Sequence, residues 1–317
     1  MKVVLSDVKP AIRDAVIARL GDLVTLSIAD PKSATHDAQM AEADIWVVGL
    51  RAPDGYPADL IRSAPALKGI VMCGLGYDHI DIKAAAQCHI PVANAPEFSV
   101  SIAEAALTLI LMTTKHYPAL KRAVDAGIWP APSEDRGATL AGKTLGIVGL
   151  GNIGAQTARY GRAMDMTVLA ADPGLTPEQA GARGADELVE LTQLLERSDV
   201  VLLSCPLSTS TFHLIDAPRL AQMKPTAYLI NIGRGALVDE SALIEALAGR
   251  RLAGAGLDVL EHEPPDPDNP LLSMDNVVIT PHSLGATVEN VSLVADSVRR
   301  SVESLLRGEL PKNTVNP

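Results

Sequence analysis

Short apolar runs and helically spaced apolar residues take turns along this chain. KVVL (2–5), LVTLS (23–27), IWVV (45–48) and GIVM (69–72) read as strands. Between them lie segments such as RDAVIARL (13–20), whose apolar residues fall at helical spacing. This β-α-β-α order predicts a parallel sheet covered by helices on both faces. A weaker run, IPVA (90–93), follows. One long helical stretch is predicted from near Ser99 to about Ala126, then a loop or linker, PAPSEDRGATLAGK (130–143). The alternation then restarts with TLGIVGL (144–150), MTVLAAD (166–172), DVVLLSC (199–205), AYLINIG (227–233), RLAGAGL (251–257) and NVVIT (276–280). The segment 285–308 is again helical, with Val288, Val291, Val294, Val298, Val302, Leu305 and Leu306 on one stripe.

Two doubly wound α/β domains with a cleft between them are therefore expected. The last helix should return to the first domain, giving boundaries of 1–98 with 288–317 for one domain and 99–287 for the other. A length of 317 residues suits two cores better than one. Those cores must be built from Ala, Val, Leu and Ile, because only 3% of residues are aromatic. A net charge of −11 argues against a nucleic-acid partner, which needs clustered Lys and Arg. Cys73, Cys88 and Cys205 match no metal or redox spacing, which points to no metal site and a reducing, cytoplasmic compartment. MKVVLSDVKP reaches Asp7 too early for a signal peptide, and IAEAALTLILM (102–112) reads as a buried helix rather than a membrane span. No regulatory domain is expected after the final helix.

Residues 149–154 read GLGNIG, a GxGxxG placed after the strand LGIV and ahead of the helical AQTARYGRAM. That context is the one a dinucleotide fold requires. Gly149 permits the tight turn, Gly151 lets backbone approach a pyrophosphate, and Gly154 lets helix and strand pack closely. The helix N-terminus offers N–H groups to phosphates. Asp172 ends the next strand, where a carboxylate accepts from ribose hydroxyls and repels a 2′-phosphate, favouring NAD over NADP. A Rossmann NAD-binding domain at 99–287 follows, beside a flavodoxin-like substrate domain.

In such sheets ligands bind beyond the carboxyl ends of the strands. Three strands of the second half end in Arg234, Asp258 and His282. Reduction of a 2-oxo acid needs a cation to hold the substrate carboxylate and polarise its carbonyl, and Arg does so with a bidentate fork. It needs an acid for the developing alkoxide, a role that suits His, and a carboxylate to pair with that His. Hydride transfer itself is the cofactor's chemistry. The stretch DVLEHEPPD (258–266) offers two carboxylates around His262. In an extended segment Glu261 and Glu263 point away from His262. Glu263, ahead of Pro264-Pro265, is the better placed to meet a distant histidine, while His262 reads as a solvated loop residue.

These residues resemble the D-isomer-specific 2-hydroxyacid dehydrogenases over nearly the whole chain. GLGNIG, NIGRGALVDE (231–240), LDVLEHEPP (257–265) and TPHSLGAT (280–287) carry the resemblance most specifically. It implies Arg234 as the substrate-binding arginine, Glu263 as the partner carboxylate and His282 as the acid/base. It places Asp258 against the nicotinamide carboxamide and CPLSTST (205–211) beside the cofactor ribose. The implied cofactor contacts are Gly149, Gly151, Asn152, Ile153, Gly154, Asp172, Cys205, Pro206, Thr211, Ile232, Gly233, Asp258 and Gly285. CGLGYDHID (73–81) resembles the loop whose amides bind the substrate carboxylate, so Gly74, Leu75 and Gly76 are substrate candidates with Arg234. Arg51 could reach a substrate's distal acidic group. The chain departs from the family at Glu97 where glycine is common, at Ser283 where an apolar residue is usual, and at Ser208 where threonine is frequent. Its hinge NAPEFSVSIAE (94–104) is about one residue shorter than usual.

The expected activity is NAD-dependent interconversion of a D-2-hydroxy acid and its 2-oxo acid, with glyoxylate or hydroxypyruvate as the acid. Short-type 3-phosphoglycerate oxidation is the alternative within the class, and a non-catalytic NAD(H)-sensing interaction protein the alternative outside it. The expected partners are the small acid and a second copy of the chain, joined through 100–127 and the following loop. No membrane partner is expected.

Overall fold

Runs of Val, Ile and Leu become strands because branched side chains pack well on a pleated surface. The computed structural model describes residues 1–49, 55–130 and 136–316. The chain divides into two compact units, Met1–Phe98 with Thr287–Pro317, and Ser99–Ala286. Each unit is built on one parallel sheet.

The first unit holds β1 (Lys2–Ser6), β2 (Thr25–Ala29), β3 (Ile45–Val48), β4 (Gly69–Met72) and β5 (Val92–Ala93), in the order β2-β1-β3-β4-β5. This is the flavodoxin-like strand order. Alternate residues of each strand serve opposite faces. Val4, Trp46, Val48, Ile70 and Met72 enter one cluster. Val3, Leu5, Ile45, Val47 and Val71 enter another, which is completed by Val294, Ala295, Val298 and Val302. The helix Val288–Leu306 therefore belongs to this unit. Arg19 pairs with Asp296 and also donates to Ser292 Oγ at 2.7 Å, tying that helix to the helix Pro10–Leu20.

The second unit adds β6 (Thr144–Val148), β7 (Thr167–Ala171), β8 (Glu187–Leu188), β9 (Val200–Leu203), β10 (Tyr228–Asn231), β11 (Gly254–Leu257) and β12 (Val277–Ile279). Their order is β12-β11-β10-β9-β6-β7-β8, the Rossmann arrangement with one further strand. Period-two burial recurs: Val201, Leu203, Leu229 and Leu257 face one cluster, Val200, Leu202, Ile230 and Val278 the other. The strand order reverses at β6, flanked by β7 and β9. Beyond the carboxyl ends there the ligand crevice of this topology opens.

The doubly wound fold expected from the alternation is the one observed, with two local corrections. The single helix expected over 99–126 is two, Ser99–Thr114 and Tyr117–Asp125. Pro118 cannot donate to the Thr114 carbonyl and its ring would clash there, so the first helix must stop. The Thr114 carbonyl accepts from Ala138 N instead, at 2.7 Å, and His116 takes a left-handed φ of 52° at the break. The strand β8 was not anticipated, because two residues show no periodicity. Among the described residues no helix is long and apolar enough to cross a membrane.

Leu202, fully buried in the central strand β9, tests the packing of this core. Leu202→Ala should cost about 2–5 kcal/mol of unfolding free energy in urea, the range for truncating a close-packed leucine. A loss well under 1 kcal/mol would show that the sheet face is not close-packed there.

Candidate active site

The glycine turn follows β6 directly. Gly149 has φ of 89°, and a Cβ there would lie 2.7 Å from the backbone of Cys205. A Cβ on Gly154 would lie 2.3 Å from the Gly149 carbonyl oxygen. Neither position admits a side chain. At Gly151 a Cβ would meet nothing within 4 Å, so there the backbone borders open space. Gly151 and Asn152 are exposed, Ile153 is half-buried, and the helix Asn152–Ala163 starts here. A dinucleotide's phosphates fit this arrangement: free helix-terminal amides beside a backbone that nothing shields.

Asp172, one residue past β7, braces the turn. Its Oδ2 accepts from Leu150 N at 2.9 Å and its Oδ1 from Gly174 N at 3.0 Å. Ser204 Oγ donates to the Gly149 carbonyl at 2.7 Å and Arg183 to the Leu150 carbonyl at 2.8 Å. The loop after β9 is folded by Thr211, whose Oγ1 donates to the Pro206 carbonyl at 2.8 Å and accepts from Ser208 N at 2.7 Å. Burial pushes the Cys205 thiol up to about 11, and the charge of Asp172 adds to the effect.

The Arg234 loop leaves β10. Asn231 holds it from within, accepting from Gly233 N at 3.1 Å and donating to the Arg234 carbonyl at 2.9 Å. Ile232 N reaches the Leu203 carbonyl of β9. Arg234 itself donates to the Gly233 carbonyl at 2.9 Å. A Cβ on Gly235 would lie 2.0 Å from the Leu260 carbonyl group, so the loop rests directly on the segment that carries Glu263.

That segment is not extended, as the alternation argument assumed; the chain bends over 261–264. The bend lets Glu263 accept from Leu260 N through Oε1 at 3.1 Å while Oε2 meets His282 Nδ1 at 2.8 Å. Both side chains are about three-quarters buried. His282 has a left-handed φ of 50°, a conformation that needs the surroundings to hold it. Its amide donates to the Asp258 carbonyl at 2.8 Å. Asp258 is only 7% exposed. Its Oδ1 accepts from Thr280 Oγ1 at 2.7 Å, Ser283 N at 3.1 Å and Leu284 N at 3.2 Å. Gly285 is buried against Ile102. Arg234, Asp258, Glu263 and His282 are thus carried by one interlocked set of strand-end loops.

His262, between the two glutamates, is exposed. Sequence reasoning missed a second pair: Glu261 Oε1 meets His213 Nε2 at 2.8 Å, and His213 N donates to the Ala236 carbonyl at 2.8 Å. Glu261 N donates to Glu240 Oε2 at 3.0 Å, anchoring the bend further. Only the recurrence of a carboxylate either side of His262 hinted at two partners. Thr280 was also missed, since a threonine at a strand end carries no distinctive pattern.

In the first unit the loop Gly74–Gly76 follows β4 by one residue. Ala95 N donates to the Gly74 carbonyl at 2.9 Å and Asn94 Nδ2 to the Leu75 carbonyl at 3.0 Å. Glu97, unusual at its position, pairs with Arg300 of the last helix. Arg51 lies outside the described residues. Among the described residues no three His, Cys, Asp or Glu side chains cluster as a metal would need.

A nucleotide-dependent oxidoreductase is the class that this fold and this His–carboxylate pair define. The family model for the D-isomer specific 2-hydroxyacid dehydrogenase, NAD binding domain, matches residues 107–283. A glyoxylate reductase of Thermofilum pendens is 39% identical over 83% of this chain and 79% of its own length. A D-3-phosphoglycerate dehydrogenase of Methanocaldococcus jannaschii is 38% identical over 88% of this chain. The chain spans about half the length, 52%, of that relative. A crystal structure of D-lactate dehydrogenase from Aquifex aeolicus, complexed with NAD and lactic acid, superposes with a TM-score of 0.89 at 28% identity, covering 99% of both chains. The chain belongs to the D-isomer-specific 2-hydroxyacid dehydrogenase family, and NAD is the cofactor of its second unit.

The thiols give a pH signature. Burial pushes the Cys73 thiol up to about 12 and the Cys205 thiol up to about 11, against an ordinary 9.0. A folded-state value above the unfolded one stabilises the fold below the unfolded value and ceases to as pH rises through the folded one. Unfolding free energy should therefore fall as pH rises from about 9 towards 11–12. Cys205→Ser should flatten part of that slope; a slope unchanged in the variant would remove the thiol from the explanation.

Proposed function

We propose that the protein is an NAD-dependent dehydrogenase that interconverts a D-2-hydroxy acid and its 2-oxo acid, with glyoxylate or hydroxypyruvate as the acid. The Glu263–His282 hydrogen bond of 2.8 Å, on the unit that carries the glycine turn, is the observation that supports it most. The glyoxylate reductase relative, matched over most of both chains, supports the choice of acid. The phosphoglycerate dehydrogenase relatives keep short-type 3-phosphoglycerate oxidation as the second reading.

In this reading residues 99–286 form the NAD unit and the rest the substrate unit. Gly149, Gly151, Asn152, Ile153 and Gly154 would hold the phosphates, and Asp172 the adenosine ribose. Cys205, Pro206, Thr211, Ile232, Gly233 and Gly285 would line the remaining contacts, with Asp258 at the nicotinamide. NAD, when bound, supplies the two-electron redox chemistry. Arg234 binds the substrate carboxylate and polarises its carbonyl. Glu263 accepts a hydrogen bond from the Nδ1–H of His282 and so fixes the tautomer, which leaves Nε2 to face the substrate. In reduction His282 holds a proton at Nε2 and releases it to the carbonyl oxygen as charge develops there. Glu263 stabilises the imidazolium before that transfer. In oxidation His282 takes the hydroxyl proton back. Gly74, Leu75 and Gly76 bind the substrate carboxylate through their amides.

NADH oxidation with a panel of 2-oxo acids tests this. Glyoxylate or hydroxypyruvate should be turned over. His282→Ala should lose about 10²–10⁴ in kcat, the scale of general acid–base catalysis. Glu263→Gln should also lose rate, and His262→Ala should match wild type. No turnover of any acid, or a His282→Ala variant as active as wild type, would overturn the assignment.

Asp172 should set the cofactor choice. Asp172→Ser should raise the NADPH-to-NADH ratio of kcat/KM at least about tenfold, because a carboxylate no longer opposes the 2′-phosphate. An unchanged ratio would place discrimination elsewhere.

We further propose a cytoplasmic homodimer formed through the region 100–127 and the loop that follows it. Val100, Tyr117, Val124, Ile128 and Trp129 are exposed there, Trp129 at 86%. Large exposed apolar side chains favour association. Sedimentation should give a dimer at micromolar concentration, and Val124→Asp with Ile128→Asp a monomer. A wild-type monomer would refute the interface.

A further inference from the structure

The Gly74–Gly76 loop is aimed by bonds to its carbonyls. In a planar trans peptide the carbonyl and the following N–H point in opposite directions. The Gly74 carbonyl accepts from Ala95 N at 2.9 Å, which turns the Leu75 N–H away from the 94–95 segment. The Leu75 carbonyl accepts from Asn94 Nδ2 at 3.0 Å, which turns the Gly76 N–H away from it as well. Successive amides facing one side make a concavity for an anion. Only the second of these bonds depends on a side chain.

Asn94 is itself held by the segment after the last helix. Asn313 Nδ2 donates to the Asn94 carbonyl, and Asn94 N donates to the Asn313 carbonyl at 3.2 Å. Ser301 Oγ fixes Asn313 from the helix, donating to its Oδ1 at 3.2 Å. Thr314 bridges Ala93 in antiparallel fashion. Asn316 repeats the device further along, donating to the Ile90 carbonyl at 2.9 Å and accepting from Val92 N at 2.6 Å. Asn316 grips the entry to β5, whereas Asn313 grips the residue that reaches the glycine loop.

We propose that Asn313 is a positioning residue for the substrate carboxylate, acting through Asn94 on the amides of Leu75 and Gly76. This rests on the reading of that loop as a carboxylate site. Asn313 touches no substrate; it fixes the Asn94 backbone, so that the Asn94 amide meets the Leu75 carbonyl and the two loop N–H groups stay parallel.

Steady-state kinetics with NADH and glyoxylate, and inhibition by oxamate, test it. Asn313→Ala should raise the glyoxylate KM and the oxamate inhibition constant about tenfold, the scale of one well-placed hydrogen bond. The NADH KM should stay constant and kcat at saturating glyoxylate should change less than about twofold. Asn316→Ala, which loses bonds in the same segment, should leave the glyoxylate KM alone. Asn94→Ala should reproduce the Asn313→Ala effect, and the double variant should be no worse than the stronger single, since both act on one contact. Overturning results are an unchanged KM in Asn313→Ala, an equal rise in Asn316→Ala, or additive single effects. A wild type that turns over no 2-oxo acid would instead defeat the functional reading. Calorimetric binding of oxamate to the NADH-loaded wild type and Asn313→Ala then decides the positioning role separately, with equal affinities or no binding counting against it.

Discussion

The carboxylate of Asp258 sits at the end of a buried strand with 7% of its surface exposed. A charge so placed must be solvated by groups of the protein itself. Here Thr280, Ser283 and Leu284 converge on a single oxygen, Oδ1. Charge-assisted bonds of this kind are the stronger sort. They draw the loop after β12 into one shape and hold His282 in a left-handed conformation that it would not choose alone. Glu263 can then reach the imidazole from the neighbouring loop. The position of the histidine is thus a by-product of solvating a different residue's charge.

The same economy of means runs through the second unit. Each chemical group stands one or a few residues beyond a strand of the parallel sheet, where rigid β-structure ends and loops become adaptable. The loops are then pinned to one another: Gly235 against Leu260, Glu261 to His213, Glu240 to Glu261. Precision comes from these cross-links between loops rather than from any single strong contact. Asp172 does likewise for the glycine turn, engaging Leu150 N and Gly174 N while remaining half-buried.

Much of the fold was legible in the sequence, because short, fully apolar, β-branched runs such as IWVV and GIVM suit strands buried on both faces. What escaped had physical reasons. The pair Glu187–Leu188 is too short to show a period. The break at His116 depends on Pro118 meeting the Thr114 carbonyl, a clash that helical periodicity does not register. In the site, residues at strand ends were readable because topology fixes where those ends point. The bend over 261–264 was not, since it is made by a side chain, Glu263, bonding its own backbone at Leu260. His213 joined Glu261 across 48 residues, a separation no local pattern spans.

The first unit is assembled from both ends of the chain. Val3 and Leu5 share a core with Val294, Val298 and Val302, and Gly69 lies beneath Leu305. During synthesis the early strands must therefore wait, with one sheet face covered only in part, by the helix Pro10–Leu20 alone, until the helix Val288–Leu306 has been made. Residues 99–286 form a contiguous unit and can bury their own core sooner. The polypeptide thus completes its middle before its beginning, and the nascent 1–98 segment is where a chaperone would find exposed apolar surface.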